Sequence, residues 1–241
     1  MTLKKSTLVL ITLCLSQMML AQRDPRSYRM GVDRVNGSAA YNVTAYGITE
    51  DEYNSADGSP YLDKTYAPGT IKSGDKVTKA FMRYNVFFEE IEVSEIPNPE
   101  NKKKTGALLK DGNTQAVFND KTFVYMMMGN GENQKGVYFQ ILSTGNHFDL
   151  YMKSTVKYLP PQYAYTSIDH DMPGRFEMKH QYFMVSKQNR FIPIPEKHKD
   201  LLKMISYKQD EVKNFLKKEH IKLSEPEDVK KFMLFYNKLQ G

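Results

Sequence analysis

The chain has 241 residues, 40% of them hydrophobic and 12% aromatic, which is enough apolar material for a sizeable core and too much for a disordered chain. Its 34 basic and 28 acidic residues leave a formal charge of +6, with both signs interspersed rather than gathered, which argues against a nucleic-acid binder. The single cysteine, Cys14, lies near the amino terminus, so everything after it lacks a thiol for a disulfide, a Cys-ligated metal or a nucleophile.

Residues 1–22 have the layout of a secretory signal: Lys4 and Lys5, an apolar run over 8–15, a polar break at Ser16 and Gln17, and Ala21 before the expected cleavage point. The apolar run is too short for a bilayer span, which needs roughly 20 residues. A lipid anchor on Cys14 is the weaker alternative, because Leu13 stands where a small residue is wanted. The expectation is an exported chain, periplasmic or extracellular and open to envelope association, with no transmembrane segment after cleavage. Loss of Lys4 and Lys5 lowers the formal charge from +6 to +4.

Residues 23–57 form a polar amino-terminal segment, with alternation over 40–46 that suits one strand. The sequon Asn42-Val43-Thr44 is read as chance beside a bacterial-type leader.

Residues 58–194 carry the β signal. Strand character over 66–71 runs into Gly74-Asp75, a tight-turn pair, and a return strand is expected over 76–85. Residues 86–95 alternate Phe88, Glu90 and Glu92 against Phe87, Glu89, Ile91 and Val93, as a further strand. The run Lys102-Lys103-Lys104 sits in a loop between Pro99 and Gly106. Turns follow at Asp111-Gly112-Asn113, Asn119-Asp120, Gly129 to Asn133, and Thr144-Gly145-Asn146, each between short apolar runs. Short turns join antiparallel neighbours and cannot join parallel ones. Pro160-Pro161 stops the strand over 147–159, a tyrosine-rich loop follows, and 175–186 with 190–194 forms a last hairpin.

Residues 195–241 change to helical spacing. Leu201, Leu202 and Ile205 mark one helix, and Val212, Phe215 and Leu216 a second. Ser224-Glu225-Pro226-Glu227 has the form of a capping box with proline in the first turn, and Val229, Phe232, Met233 and Tyr236 then share one face. The expected fold is α+β, mainly β: an antiparallel meander or sandwich-like sheet with a carboxyl-terminal helical segment packed on it.

Several phrases are shared with a family of secreted proteins. They are Ala21-Gln22 at the leader's end, Gly58-Ser59-Pro60-Tyr61-Leu62, Arg83-Tyr84-Asn85 before Glu90-Ile91-Glu92-Val93, and Tyr138-Phe139-Gln140-Ile141-Leu142 before Gly145. In the tail they are the stretch from Glu211 to Lys218 and the closing Tyr236-Asn237-Lys238-Leu239. Over most of the mature length the chain resembles this uncharacterised family from Bacteroidetes bacteria. The resemblance implies an extracytoplasmic β-sheet domain with a helical tail, and it carries no catalytic residue.

Candidate chemistry is sparse. Glu90 and Glu92 point to one strand face, where paired carboxylates serve glycoside hydrolysis if burial separates their pKa values; the favoured alternative is a charged, exposed sheet face or edge. Asp169, His170 and Asp171 group three metal-ligating side chains in one loop, with His147 and His180 as distant additions, but the spacing matches no zinc pattern. Tyr158, Tyr163 and Tyr165 flank Pro160-Pro161, either as a binding surface or as packing over an open sheet end. Gly129-Asn130-Gly131 lacks the ending of a phosphate loop, and no Gly-x-Ser-x-Gly elbow is present. Around Met126-Met127-Met128, Phe123 and Tyr125 make both strand faces apolar, as in a central strand or a sheet closed on a cavity.

No cofactor is expected. The leading expectation is a non-enzymatic binding or envelope-associated domain whose partner is an envelope or extracellular protein. The rivals are a carrier of a small apolar ligand or lipid, and a carboxylate-dependent hydrolase.

Overall fold

The structure is a computed structural model, and it describes residues 32–33, 43–99, 105–129, 134–165 and 170–240. Residues 1–22, where a leader is expected, Cys14 among them, the 102–104 lysines and Asp169 lie outside the described residues.

Among the described residues one antiparallel sheet of eleven strands dominates. In chain order these are β1 (Val32–Asp33), β2 (Ala67–Ser73), β3 (Lys76–Asn85), β4 (Glu90–Ser94), β5 (Thr105–Leu108), β6 (Thr114–Phe118), β7 (Lys121–Met128), β8 (Lys135–Ser143), β9 (Phe148–Leu159), β10 (Arg175–Ser186) and β11 (Phe191–Ile194). Helix α1 (Glu50–Ser55) precedes β2, and α2 (His198–Met204), α3 (Gln209–Lys218) and α4 (Pro226–Gln240) follow β11. The spatial order is β1-β5-β4-β3-β2-β6-β7-β8-β9-β10-β11. Two meanders therefore share β2: one runs back from it to β5, the other forward from β6 to β11. The mainly β, α+β fold expected from the sequence is what the chain adopts.

The turn chemistry explains the register. Asn119 and Asp120 both hold positive φ, 50° and 56°, the left-handed pair that two-residue hairpins use, and so β6 and β7 pair from Phe118↔Lys121 outward. Between β3 and β4 the chain departs from the expected continuous strand over 86–95. Residues 86–89 turn instead: the Asn85 side chain accepts from Phe88 N at 3.2 Å, and Glu89 takes φ 52°. The strand expected over 40–46 is also corrected: Val43–Tyr46 forms a 3-10 turn, and residues 40–42 lie outside the described residues. Thr49 then opens α1 with a capping box, its hydroxyl accepting from Glu52 N while Glu52 accepts from Thr49 N.

Three apolar clusters hold the sheet. Strands β2 to β8 bury Ile71, Met82, Tyr84, Ile91, Phe118, Phe123 and Tyr138 on one face. Val156 and Met178, from the far halves of β9 and β10, pack into that same cluster, so the sheet coils over itself. The opposite face of β7 to β11 gathers Val137, Phe139, Phe183 and Val185, with Met126, Met128 and Phe191 against them. Phe191 stacks on Phe139 at 4.8 Å between ring centroids. Met126 and Met128 therefore pack with an aromatic cluster, while Met127 between them is 52% exposed.

The third cluster seats the helical tail. Leu150, Met152, Tyr182, Met184 and Ile194 of the sheet meet Leu201, Val212, Leu216, Val229, Phe232 and Met233 of the helices. Phe215 and Phe235 stack at 3.9 Å and join α3 to α4. The expected capping box is corrected: α4 starts at Pro226, the first intrahelical bond runs from Val229 N to Glu225 O at 3.0 Å, Glu227 pairs forward with Lys230 at 2.8 Å, and the Asp228 carboxylate accepts from Lys222 N at 3.0 Å. No helix among the described residues is long and apolar enough to cross a membrane.

Candidate functional site

The hairpin register places Arg83 directly opposite Glu92 on β3 and β4. Arg83 Nε donates to Glu92 Oε2 at 2.6 Å, and the Tyr66 hydroxyl donates to the same oxygen at 2.6 Å. The Tyr61 hydroxyl donates to Glu92 Oε1 at 3.2 Å. The guanidinium lies between two rings, 4.0 Å from the Tyr61 centroid and 4.4 Å from that of Tyr66. Its Nη1 donates to Lys64 O and its Nη2 to the Tyr61 hydroxyl, both at 3.1 Å.

Glu92 is only 3% exposed, and a buried carboxylate is tolerated where charge-assisted hydrogen bonds replace water. The loop over 58–66 supplies both tyrosines, and it is fixed where Leu62 N donates to Tyr84 O at 3.0 Å and Val86 N to Pro60 O at 2.9 Å. Burial first, and then the Glu92 carboxylate, push the Tyr61 and Tyr66 hydroxyls far above the usual phenol range, so both remain donors.

Above this network opens a cleft of about 430 Å³, walled by Glu50, Tyr53 and Asn54 of α1, by Lys64, and by Asn98. An aromatic cluster positions α1. The Tyr53 ring lies 6.1 Å from Phe87, 5.9 Å from Phe88 and 5.3 Å from Phe176. The Asp57 backbone secures the same segment to β10, its N–H donating to Gly174 O at 2.8 Å and its C=O accepting from Phe176 N at 2.9 Å.

The residues singled out from sequence fall in different places. Glu90 and Glu92 share a face of β4, but β4 lies between β3 and β5, away from either sheet edge. Burial pushes the Glu90 carboxyl up; Lys110 opposes that shift and Glu92 adds to it. Tyr158 is half-buried with its ring 5.4 Å from Phe176, whereas Tyr163 and Tyr165 are 79% and 97% exposed. His170 is exposed, and Asp171 accepts from Ala164 N at 2.7 Å. His180 bonds to Ser154 Oγ at 3.0 Å, about 20 Å along β9 from His147 at the strand's rise per residue. Among the described residues no group of three or more His, Cys, Asp or Glu side chains is placed to hold a metal ion.

Arg83, Tyr61 and Tyr66 were not legible as site residues. The signal that finds them is the turn: once residues 86–89 form it, Asn85 pairs with Glu90 and Arg83 must face Glu92. Comparison with protein-family models, curated proteins and solved structures finds no match to this chain.

Proposed function

We propose that the chain is an exported, non-enzymatic binding domain whose cleft takes a small, oxygen-rich ligand of the sugar type. The observation that carries this is the Arg83–Glu92–Tyr61–Tyr66 network, a buried polar floor already satisfied internally and therefore rigid before any ligand arrives. Around it, Glu50, Asn54, Lys64 and Asn98 offer donors and acceptors beside the tyrosine rings, the mixture that fixes a polar ligand's orientation. A hydrolase needs a carboxyl free to exchange a proton with substrate; both oxygens of Glu92 are committed to arginine and tyrosine donors. The leader over residues 1–22 and the resemblance to secreted Bacteroidetes proteins support a periplasmic or cell-surface address, where such a domain meets glycans or envelope proteins.

The test is saturation-transfer NMR on the mature chain with a panel of mono- and disaccharides beside a panel of fatty acids. Saccharide signals that vanish in Asn54→Ala and Lys64→Ala, two rim variants that leave the network intact, support the reading. Fatty-acid signals alone, or turnover of nitrophenyl glycosides that depends on Glu90 or Glu92, would replace it with the carrier or the hydrolase.

A further inference from the structure

A second groove, independent of the cleft, lies between α2 and α3. It encloses about 510 Å³ over a floor of Leu202 and Leu216, with Lys199, Lys203, Lys213 and Lys217 on its rim. Lys199 and Lys203 are one turn apart on α2, and Lys213 and Lys217 one turn apart on α3, so each wall presents a pair. Lys203 pairs with Asp200 at 3.5 Å. Lys199, Lys213 and Lys217 have no ion-pair partner among the described residues, and Asp210 is the one carboxylate in the lining. His198 donates Nε2–H to Ile221 O at 2.7 Å, which fixes the groove's inner corner. The end of α2 and its connection to α3 expose Met204 and Tyr207, 38% and 44% accessible.

We propose that this groove is where the domain docks on an anionic phospholipid surface. Lysines are point charges on flexible stems, suited to headgroups spread over a plane, whereas bidentate capture of one phosphate favours arginine forks. An apolar floor beneath a cationic rim, with an exposed tyrosine and methionine beside it, is the arrangement by which peripheral helices enter the interface. The groove is as long as α2, about 10 Å at the helical rise, which is short for an extended acidic peptide.

The experiment is vesicle flotation of the mature chain with phosphatidylcholine vesicles, with and without phosphatidylglycerol. The expected result is binding that requires phosphatidylglycerol and weakens at high ionic strength. The triple variant Lys199→Glu, Lys213→Glu and Lys217→Glu should bind at least about 100-fold more weakly, since each lysine near the surface contributes roughly fivefold. Its circular dichroism and melting temperature should match the parent, because all three side chains are exposed. A control triple on the sheet, Lys72→Glu, Lys79→Glu and Lys157→Glu, should keep most of the binding. Equal loss in both triples, equal binding to pure phosphatidylcholine, or displacement by inorganic phosphate would overturn the proposal. So would tighter binding to polyglutamate than to vesicles, or a dimer in sedimentation velocity that the first triple abolishes.

Discussion

Asn237 of α4 and Phe148 at the start of β9 exchange two hydrogen bonds, as a β-strand neighbour would: Phe148 N donates to Asn237 Oδ1 at 2.9 Å, and Asn237 Nδ2 donates to Phe148 O at 3.0 Å. The same side chain accepts from His147 N at 3.1 Å and donates to Met233 O at 3.1 Å, so its full amide capacity is used. One amide thereby fastens the last helix to the β8–β9 turn. Asn237→Ala leaves several backbone groups without partners and should destabilise the fold by about 2–3 kcal/mol, read as a lower urea midpoint with an unchanged slope. Gly145→Ala should act similarly, since a Cβ there would collide with Asn237 Nδ2 and lie 2.6 Å from Phe148 O.

Arg83→Met strands Glu92 beneath the cleft. The expected loss is about 2–4 kcal/mol, toward the low end for a broken buried pair because the Arg83 side chain keeps 23% exposure. Replacing both partners, Arg83→Met with Glu92→Leu, should recover much of that loss. A double-mutant cycle by chemical denaturation measures the coupling.

The Tyr158 hydroxyl is buried without a hydrogen-bond partner among the described residues. Tyr158→Phe should therefore be neutral or stabilising by up to about 1 kcal/mol. Tyr163→Ala and Tyr165→Ala should leave the melting temperature unchanged. Differential scanning calorimetry on the three variants separates the packing tyrosine from the two exposed ones.

Burial lowers the pKa of His180 on β10. The unfolded chain then takes up a proton first as pH falls through about 6.5, so stability declines from there down to the lowered folded value. His180→Gln removes this contribution. The melting-temperature difference between parent and variant should narrow in favour of the variant as pH drops from neutral to about 5.5, and a constant difference would contradict the assignment.

How much of this was legible depended on range. Gly74-Asp75 and Asn119-Asp120 mark hairpins because backbone sterics favour those residues locally, and the stripe Val229, Phe232, Met233 and Tyr236 marks a buried helix face; all four are buried in the fold. The return of the chain from β5 to pair β6 with β2 left no local trace, because the pairing joins strands far apart in sequence. The 86–89 turn was hidden by an alternation that continued through it, and with it the Arg83–Glu92 pairing. Glu92 could be noticed as a carboxylate, but its partners Tyr61 and Tyr66 come from a loop that only tertiary structure brings under β4. Helix α1 is six residues long, too short for periodicity to register, although Thr49 and Glu52 stood at the capping spacing.

The shared strand β2 has a kinetic consequence. Of the ten strand pairings in the sheet, eight join consecutive strands, and only β1 with β5 and β2 with β6 do not. Each meander can therefore zip from its own turns, while the seam must wait for a loop of some forty residues to close, an entropic delay that nearby contacts do not shorten. At the seam Gly69 lies so close to Val117 O that no side chain fits between them. Substitutions along that line should slow the final closure more than they alter either half, and the partly built chain would meanwhile carry β2 and β6 as two unpaired edges in addition to the ends at β1 and β11.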